Sequence, residues 1–468
     1  MPGLLELPLE LVLAIMQLLG NEDLRQLSLV CQRLRPDCQA TLLQTCTIPI
    51  TLERSVEEYR VLFQTPYFIE SIRFLSFRGR FRSDNFPDSS ADEQTVFTEI
   101  AGRIPTLHRL QCIKMSRTEP SLQLLDAIFC FASNKLMKLV LSINAYPEEY
   151  IFPAQDLKIH HIEACVTKSY GGSPRPYATT ARSFLPRLVS ACAATLSRLH
   201  IYDDHTHTKM WDIPPVRLRS LTATATRDPS LVAFLQSQTS LEELTIRHDE
   251  HLTEGWASKL SQSDLPELRS VTASCGSLRY LVAGRAIREA NPDICCGSYS
   301  HDLVRDFLRN TRLSASGKGI ESVDLGSVLN APMGVPVLAE FHDSLSTIQS
   351  LGIPCRVQVR QSHVILGLYL RPWKEFSQVF TYLRSLSRLT SLYLLEELHN
   401  WKDPPASLET EMIEHSSSLR KVCQSFERLT VSSYYNKGQL HVDYDLSIEK
   451  WTLRINKSGR SRWAPRFT

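Results

Sequence analysis

The sequence predicts an α/β chain: a small three-helix module at the N-terminus, then an irregular solenoid of strand-and-return units. Three observations predict it. Apolar residues recur at helical spacing in short runs over the first 46 residues. From residue 66 onward the phrase apolar-x-x-apolar-x-apolar returns many times. The length, 468 residues, is too great for one compact core.

The first helix starts at Pro8, whose fixed φ and missing N–H suit a helix start. Leu11, Ile15, Leu18 and Leu19 then lay a greasy stripe along it. Asn21 is a good N-cap for the second helix, with Glu22 and Asp23 placing negative charge at its positive end. Leu24, Leu27, Val30 and Cys31 recur on that helix. Pro36 opens a third, which carries Leu42 and Leu43. Three helices this short cannot cover all of their apolar surface, so a stripe is left for a partner. The competing reading is an amphipathic helix pair packed on the chain's own body. A signal peptide is excluded because Glu6 and Glu10 interrupt the apolar run and no basic residue precedes it.

Leu7-Pro8-x-Glu10-Leu11, then Asp23-Leu24-x-x-Leu27, then Val30-Cys31-x-x-Leu34-Arg35 resembles the F-box family. The resemblance covers about a tenth of the chain, and Arg35 departs from the aromatic residue common in some members. It implies a partner surface made by Leu7, Pro8, Leu11, Ile15, Leu24, Leu27, Val30 and Cys31, which would bind a Skp-type adaptor and through it a cullin–RING ligase. The chain would then be the substrate receptor of an E3 ubiquitin ligase and not itself an enzyme. The alternatives are a non-catalytic F-box scaffold without a ubiquitination client, or a metal-dependent hydrolase.

The repeated phrase is clearest at Leu136-Met-Lys-Leu139-Val-Leu141-Ser-Ile-Asn144, which resembles the leucine-rich repeat consensus. Other copies start at Ile69, Leu107, Leu196, Leu218, Leu241, Leu268, Ile320, Leu389, Phe426 and Ile448, and a partial copy at Leu278. From Leu196 the steps are 22, 23 and 27 residues, near the usual period of such repeats. One unit cannot bury its own greasy face, so units must stack. Ser230–Gln236 and the stretch from Pro372 to Phe380 read as helical returns. The expected organisation is an F-box at 1–46, a linker helix at 47–65, a repeat region at 66–460 and a basic tail at 461–468. Loops fall at 83–95, at 169–180 and from Asp403.

Composition narrows the function. Hydrophobic residues make 43%, charged residues 22%, and net charge is +2, so no global field draws the chain to nucleic acid or membrane. No apolar run reaches transmembrane length. The 12 cysteines are scattered apart from Cys295-Cys296 and read as reduced thiols, placing the chain in the cytoplasm or nucleus. Metal-like clusters occur at Asp203-Asp204-His205-Thr206-His207 and His248-Asp249-Glu250-His251, but polar turns after repeat strands explain them; zincin spacing is absent. Gly317-Lys318-Gly319 lacks the rest of a phosphate loop. The basic stretch after Glu449, with Trp451 and Trp463, reads as a solvated tail rather than a nucleic-acid site. No catalytic residue, metal or cofactor is expected.

The residues between the apolar positions should line the open face of the sheet. At the 33 such positions counted from the eleven starts, eight are basic and two acidic, against 52 and 50 in the whole chain. This face is therefore expected to bind an acidic or phosphorylated client, through Arg198, Arg247, Arg109 and Lys138.

Overall fold

The computed structural model describes residues 8–49, 66–78, 98–116, 120–132, 135–143, 150–153, 156–166, 177–203, 216–224, 230–247, 256–293, 301–316, 319–325, 345–354, 388–396, 424–435, 438–445 and 450–456, with isolated positions between them. The chain forms two compact units, residues 1–238 and 239–468.

The first unit opens with three helices: α1 (Leu9–Leu18), α2 (Asn21–Val30) and α3 (Arg35–Leu43). Pro8 stands just before α1 and its carbonyl accepts from the N–H groups of Leu11 and Val12. Gly20, not Asn21, caps α2: its N–H donates to the Asp23 carboxylate at 3.3 Å, so a side chain inside the first turn does the capping work. Pro36 lies in the first turn of α3, as expected. Val12, Met16, Leu24, Leu34 and Cys38 form the module's core, with Leu13, Leu19, Leu27, Cys31 and Leu42 partly buried around it. Arg35 donates to the Ser28 carbonyl at 3.0 Å and ties α3 to α2.

The sheet follows at once. Strand β1 (Thr45–Pro49) pairs parallel with β2 (Phe74–Arg78). Residues 47–49 are thus strand rather than linker helix; residues 50–63 lie outside the described residues. Helix α4 (Pro66–Ser71) lies against α3. Then come β3 (Cys112–Ser116), β4 (Lys138–Ile143), β5 (His161–Val166), β6 (Arg198–Asp203) and β7 (Ser220–Thr224), each parallel to the one before. Several returns carry helices: α5 (Leu122–Ala132), α6 (Tyr177–Ala191), which takes over the end of the loop expected at 169–180, and, after β7, α7 (Ser230–Gln236), which matches the sequence-predicted return; the described residues 150–153 and 156–160 between β4 and β5 are not helical.

The second unit repeats the pattern with β8 (Glu243–Arg247), β9 (Ser270–Ala273), β10 (Glu289–Pro292), β11 (Ser322–Asp324), β12 (Ser350–Pro354), β13 (Ser391–Glu396) and β14 (Arg428–Tyr435), all parallel. Helices α8 (Cys275–Val282) and α9 (His301–Asn310) supply described returns. The unit ends differently: β15 (Gly438–Asp445) and β16 (Lys450–Asn456) run antiparallel. Tyr435 faces Gly438, and a connection that short cannot make a parallel crossover. Ile448 therefore precedes the last strand of a meander, not a further parallel unit.

One rule builds both cores. From β2 to β11 the residue two before each strand start, and the second and fourth positions counted from that start, are buried. In the first unit these are Ile72, Leu75 and Phe77 beside β2, Leu110, Ile113 and Met115 beside β3, and so on to Leu218, Leu221 and Ala223, all buried. The phrases at Ile69 and Leu107 are therefore three residues early; Ile72 and Leu110 hold the true phase. The partial copy at Leu278 is helix α8, and the strand it was meant to supply is β10, entered from Ile287. Phe129 of α5 meets Phe152 edge-on at 4.9 Å and both approach Phe184 of α6.

Candidate functional site

The N-terminal module leaves apolar side chains bare. On α1 the buried stripe is Val12 and Met16, four apart, so Leu11 turns to solvent and is 52% exposed. On α2, Leu29 is 69% and Val30 78% exposed. Eight large apolar side chains are exposed among the described residues, and these three fall in one short stretch. Pro8 is exposed, and Ile15, Leu27 and Cys31 are half-buried. Leu24 is only 2% exposed, inside the module's own core. Leu7 lies outside the described residues. Leu29 escaped the sequence reading because it falls between the helical-spaced positions that the motif emphasises.

The second candidate region is the open face of the first unit's sheet. Pairing sets its rows. The first residues of successive strands align as Cys112, Lys138, His161, Arg198 and Ser220. Two residues on, Lys114, Val140, Glu163, His200 and Thr222 form the next row. Lys138 and Arg198 thus share a row with His161 between them. Arg109 is exposed in the turn before β3 and joins no row, because its phrase was read three residues early. Arg247 ends β8 in the other unit. The clusters at 204–207 and 248–251, Cys295-Cys296, Gly317-Lys318 and residues 461–468 lie outside the described residues.

Glu163 is 6% exposed, and the Lys138 Nζ lies 3.5 Å from its carboxylate. His161 and His200 meet edge-on with ring centroids 4.7 Å apart. His161, Glu163 and His200 each bring one possible ligand atom within 4.8 Å of the others. Burial pushes the His161 imidazole down to about 4; the neighbouring Lys138 and His200 lower it further, and Glu163 opposes this. It is therefore neutral near pH 7. Its Nε2 is buried with no hydrogen-bond partner. This group was missed because the phrase entering β5 at Ile159 went unread. The alternation His161-Ile162-Glu163, beside Arg198-Leu199-His200, was the available signal.

Among the described residues no helix is long and apolar enough to cross a membrane. No curated protein matches the chain. The F-box domain family model matches residues 4–35, the segment that holds α1, α2 and the bare apolar side chains. F-box domains bind Skp-type adaptors within cullin–RING ligases, and the proteins that carry them are generally not catalytic. The N-terminal segment of the chain is thus similar to the F-box domain.

Proposed function

We propose that the chain is the substrate-recognition subunit of a Skp–cullin–F-box type E3 ubiquitin ligase, working in the cytoplasm or nucleus. The observation that carries this is the exposure of Leu11, Leu29 and Val30 within the matched segment. With Leu7, Pro8, Ile15, Leu27 and Cys31 they form the adaptor surface, while Leu24 holds that surface in shape from beneath. A client held by the sheet-bearing body meets the activated ubiquitin at high local concentration, so proximity supplies the catalysis. The chain needs no nucleophile, base or cofactor of its own for this role.

The client side is the open face of the first unit's sheet, where Lys138 and Arg198 share a row; Arg109, in the turn before β3, and Arg247, which ends β8 of the second unit, are further candidate contacts taken each in its own unit. Its chemistry favours an acidic or phosphorylated client, because guanidinium groups grip phosphate in a bidentate manner.

Leu11→Asp with Val30→Asp tests the adaptor side. Buried apolar anchors are worth about 2 kcal/mol each, so adaptor capture should fall by well over tenfold. Full capture by this folded variant would refute the assignment. Client capture compared with and without phosphatase treatment, at two salt concentrations, tests the other side. Indifference to both would sink the acidic client.

A further inference from the structure

We propose that His161, Glu163 and His200 form a binding site for a divalent transition-metal ion, zinc by the chemistry of its donors, on the open face of the first unit's sheet.

The sheet register builds the site. His161 and Glu163 are two apart on β5 and so share a face. His200 is the register partner of Glu163 on β6, and Arg198 is that of His161. Pairing brings three ligand atoms from two strands within 4.8 Å of one another. No loop has to close for this, because all three donors stand on two paired strands.

Two further observations point to an ion. The buried Nε2 of His161 has no hydrogen-bond partner, and a buried polar atom left alone is costly. A metal satisfies it directly. Glu163, almost fully buried, needs a positive neighbour, and now has Lys138 at 3.5 Å. Two imidazoles and one carboxylate are a donor set that zinc takes when it keeps a fourth position open. Mixed nitrogen and oxygen donors disfavour magnesium and calcium, which prefer oxygen alone.

Lys138 is the competitor. Its side chain is 36% exposed, on a flexible stem that can swing its ammonium into water. Zinc takes its place at Glu163. The site therefore binds more weakly than its ligands alone would allow, and Lys138 sets by how much.

The test uses the full chain, stripped with a chelator and titrated with zinc, with retained metal measured after desalting. One zinc per chain is expected at this site. His161→Ala or His200→Ala should weaken binding by on the order of 100-fold or more, since even outer-shell changes cost 10–100-fold. Lys138→Gln should tighten it by roughly tenfold through loss of a like charge at short range. A role in folding alone would not produce that gain. Histidine acylation of the unsubstituted protein, mapped by mass spectrometry, avoids any folding defect: zinc should shield His161 and His200. No retained zinc overturns the proposal. So does equal binding by the His161→Ala, His200→Ala double variant, or zinc that leaves both histidines open to acylation, as capture by His205, His207, His248 or His251 would. None of these readouts involves adaptor or client, so this site and the ligase reading stand or fall separately.

Discussion

Burial decides how individual residues behave here. Among the described cysteines, Cys38, Cys112, Cys192 and Cys275 are buried and Cys130 is exposed. Burial pushes the Cys192 thiol up to about 12, and the Cys112 thiol up to about 11. The thiolate is the reactive form. Iodoacetamide at pH 8 should therefore label Cys130 quickly and leave Cys112 and Cys192 unlabelled until the protein unfolds; mass spectrometry reads this directly. The sign of the linkage follows: raised thiols stay protonated when the unfolded chain already ionises, so they withdraw stability as pH climbs above 9. Arg285 is the other decisive residue. It is 3% exposed and donates to the carbonyls of Asp264 (3.0 Å), Tyr280 (2.9 Å), Leu281 (3.1 Å) and Ser261. It thereby pins the end of α8 to the turn at 260–264, just after Gly284 reverses the chain at φ +73. Arg285→Met leaves those carbonyls unsatisfied and should cost about 3–5 kcal/mol, seen as a lower denaturant midpoint.

At the scale of elements, the two sides of α1 and α2 separate stability from binding. Leu24→Ala opens a cavity in the module core and should cost about 2–5 kcal/mol. Leu11→Ala at an exposed site should stay within about 0.5 kcal/mol while weakening adaptor capture. Chemical denaturation and adaptor pull-down on both variants check this; equal stability losses would overturn the assignment of faces. The strands show a device the sequence hides. Along the parallel strands from β3 to β6 the carbonyl before a strand start accepts two N–H groups from the next strand's entry: Gln111 from Met137 and Lys138, Met137 from His160 and His161, His160 from Ser197 and Arg198. Hydroxyls add rungs, as Thr195 to Ile159, Thr347 to Ile320 and Ser425 to Leu389. These bonds hold successive entries level, which is why His161 and Arg198 share a row although their spacing in the chain is irregular.

For the whole molecule, β1 makes the N-terminal domain inseparable from the first unit's sheet. It follows α3 directly and covers the edge of β2. A chain cut to 47–468 loses Thr45 and Cys46 from that strand and the α3 support of α4, and bares a sheet edge. It should melt lower and aggregate more than the full-length Leu11→Asp, Val30→Asp variant; differential scanning fluorimetry with light scattering compares them. Deletion is thus a poor substitute for surface substitution in testing adaptor binding. A net charge of +2 likewise says little about the protein, because the charges that matter are gathered by register, Lys138 and Arg198 around Glu163, rather than by composition.

By itself the sequence determined the three N-terminal helices, the return at Ser230–Gln236 and most strand starts, because those follow from local spacing: apolar periodicity, Pro8 and Pro36 at helix starts, and the recurring phrase from Leu136 onward. It also carried the motif that marks the N-terminal domain. Only the tertiary structure decided which side of α1 faces out, that Leu24 lies inward, that 47–49 is strand, and that the last two strands reverse. Only it brought His161, Glu163 and His200 together. The reason is that these depend on neighbours distant in the chain, and a shift of three residues in reading a phrase, as at Ile69 and Leu107, moves a side chain off its row without disturbing the local pattern.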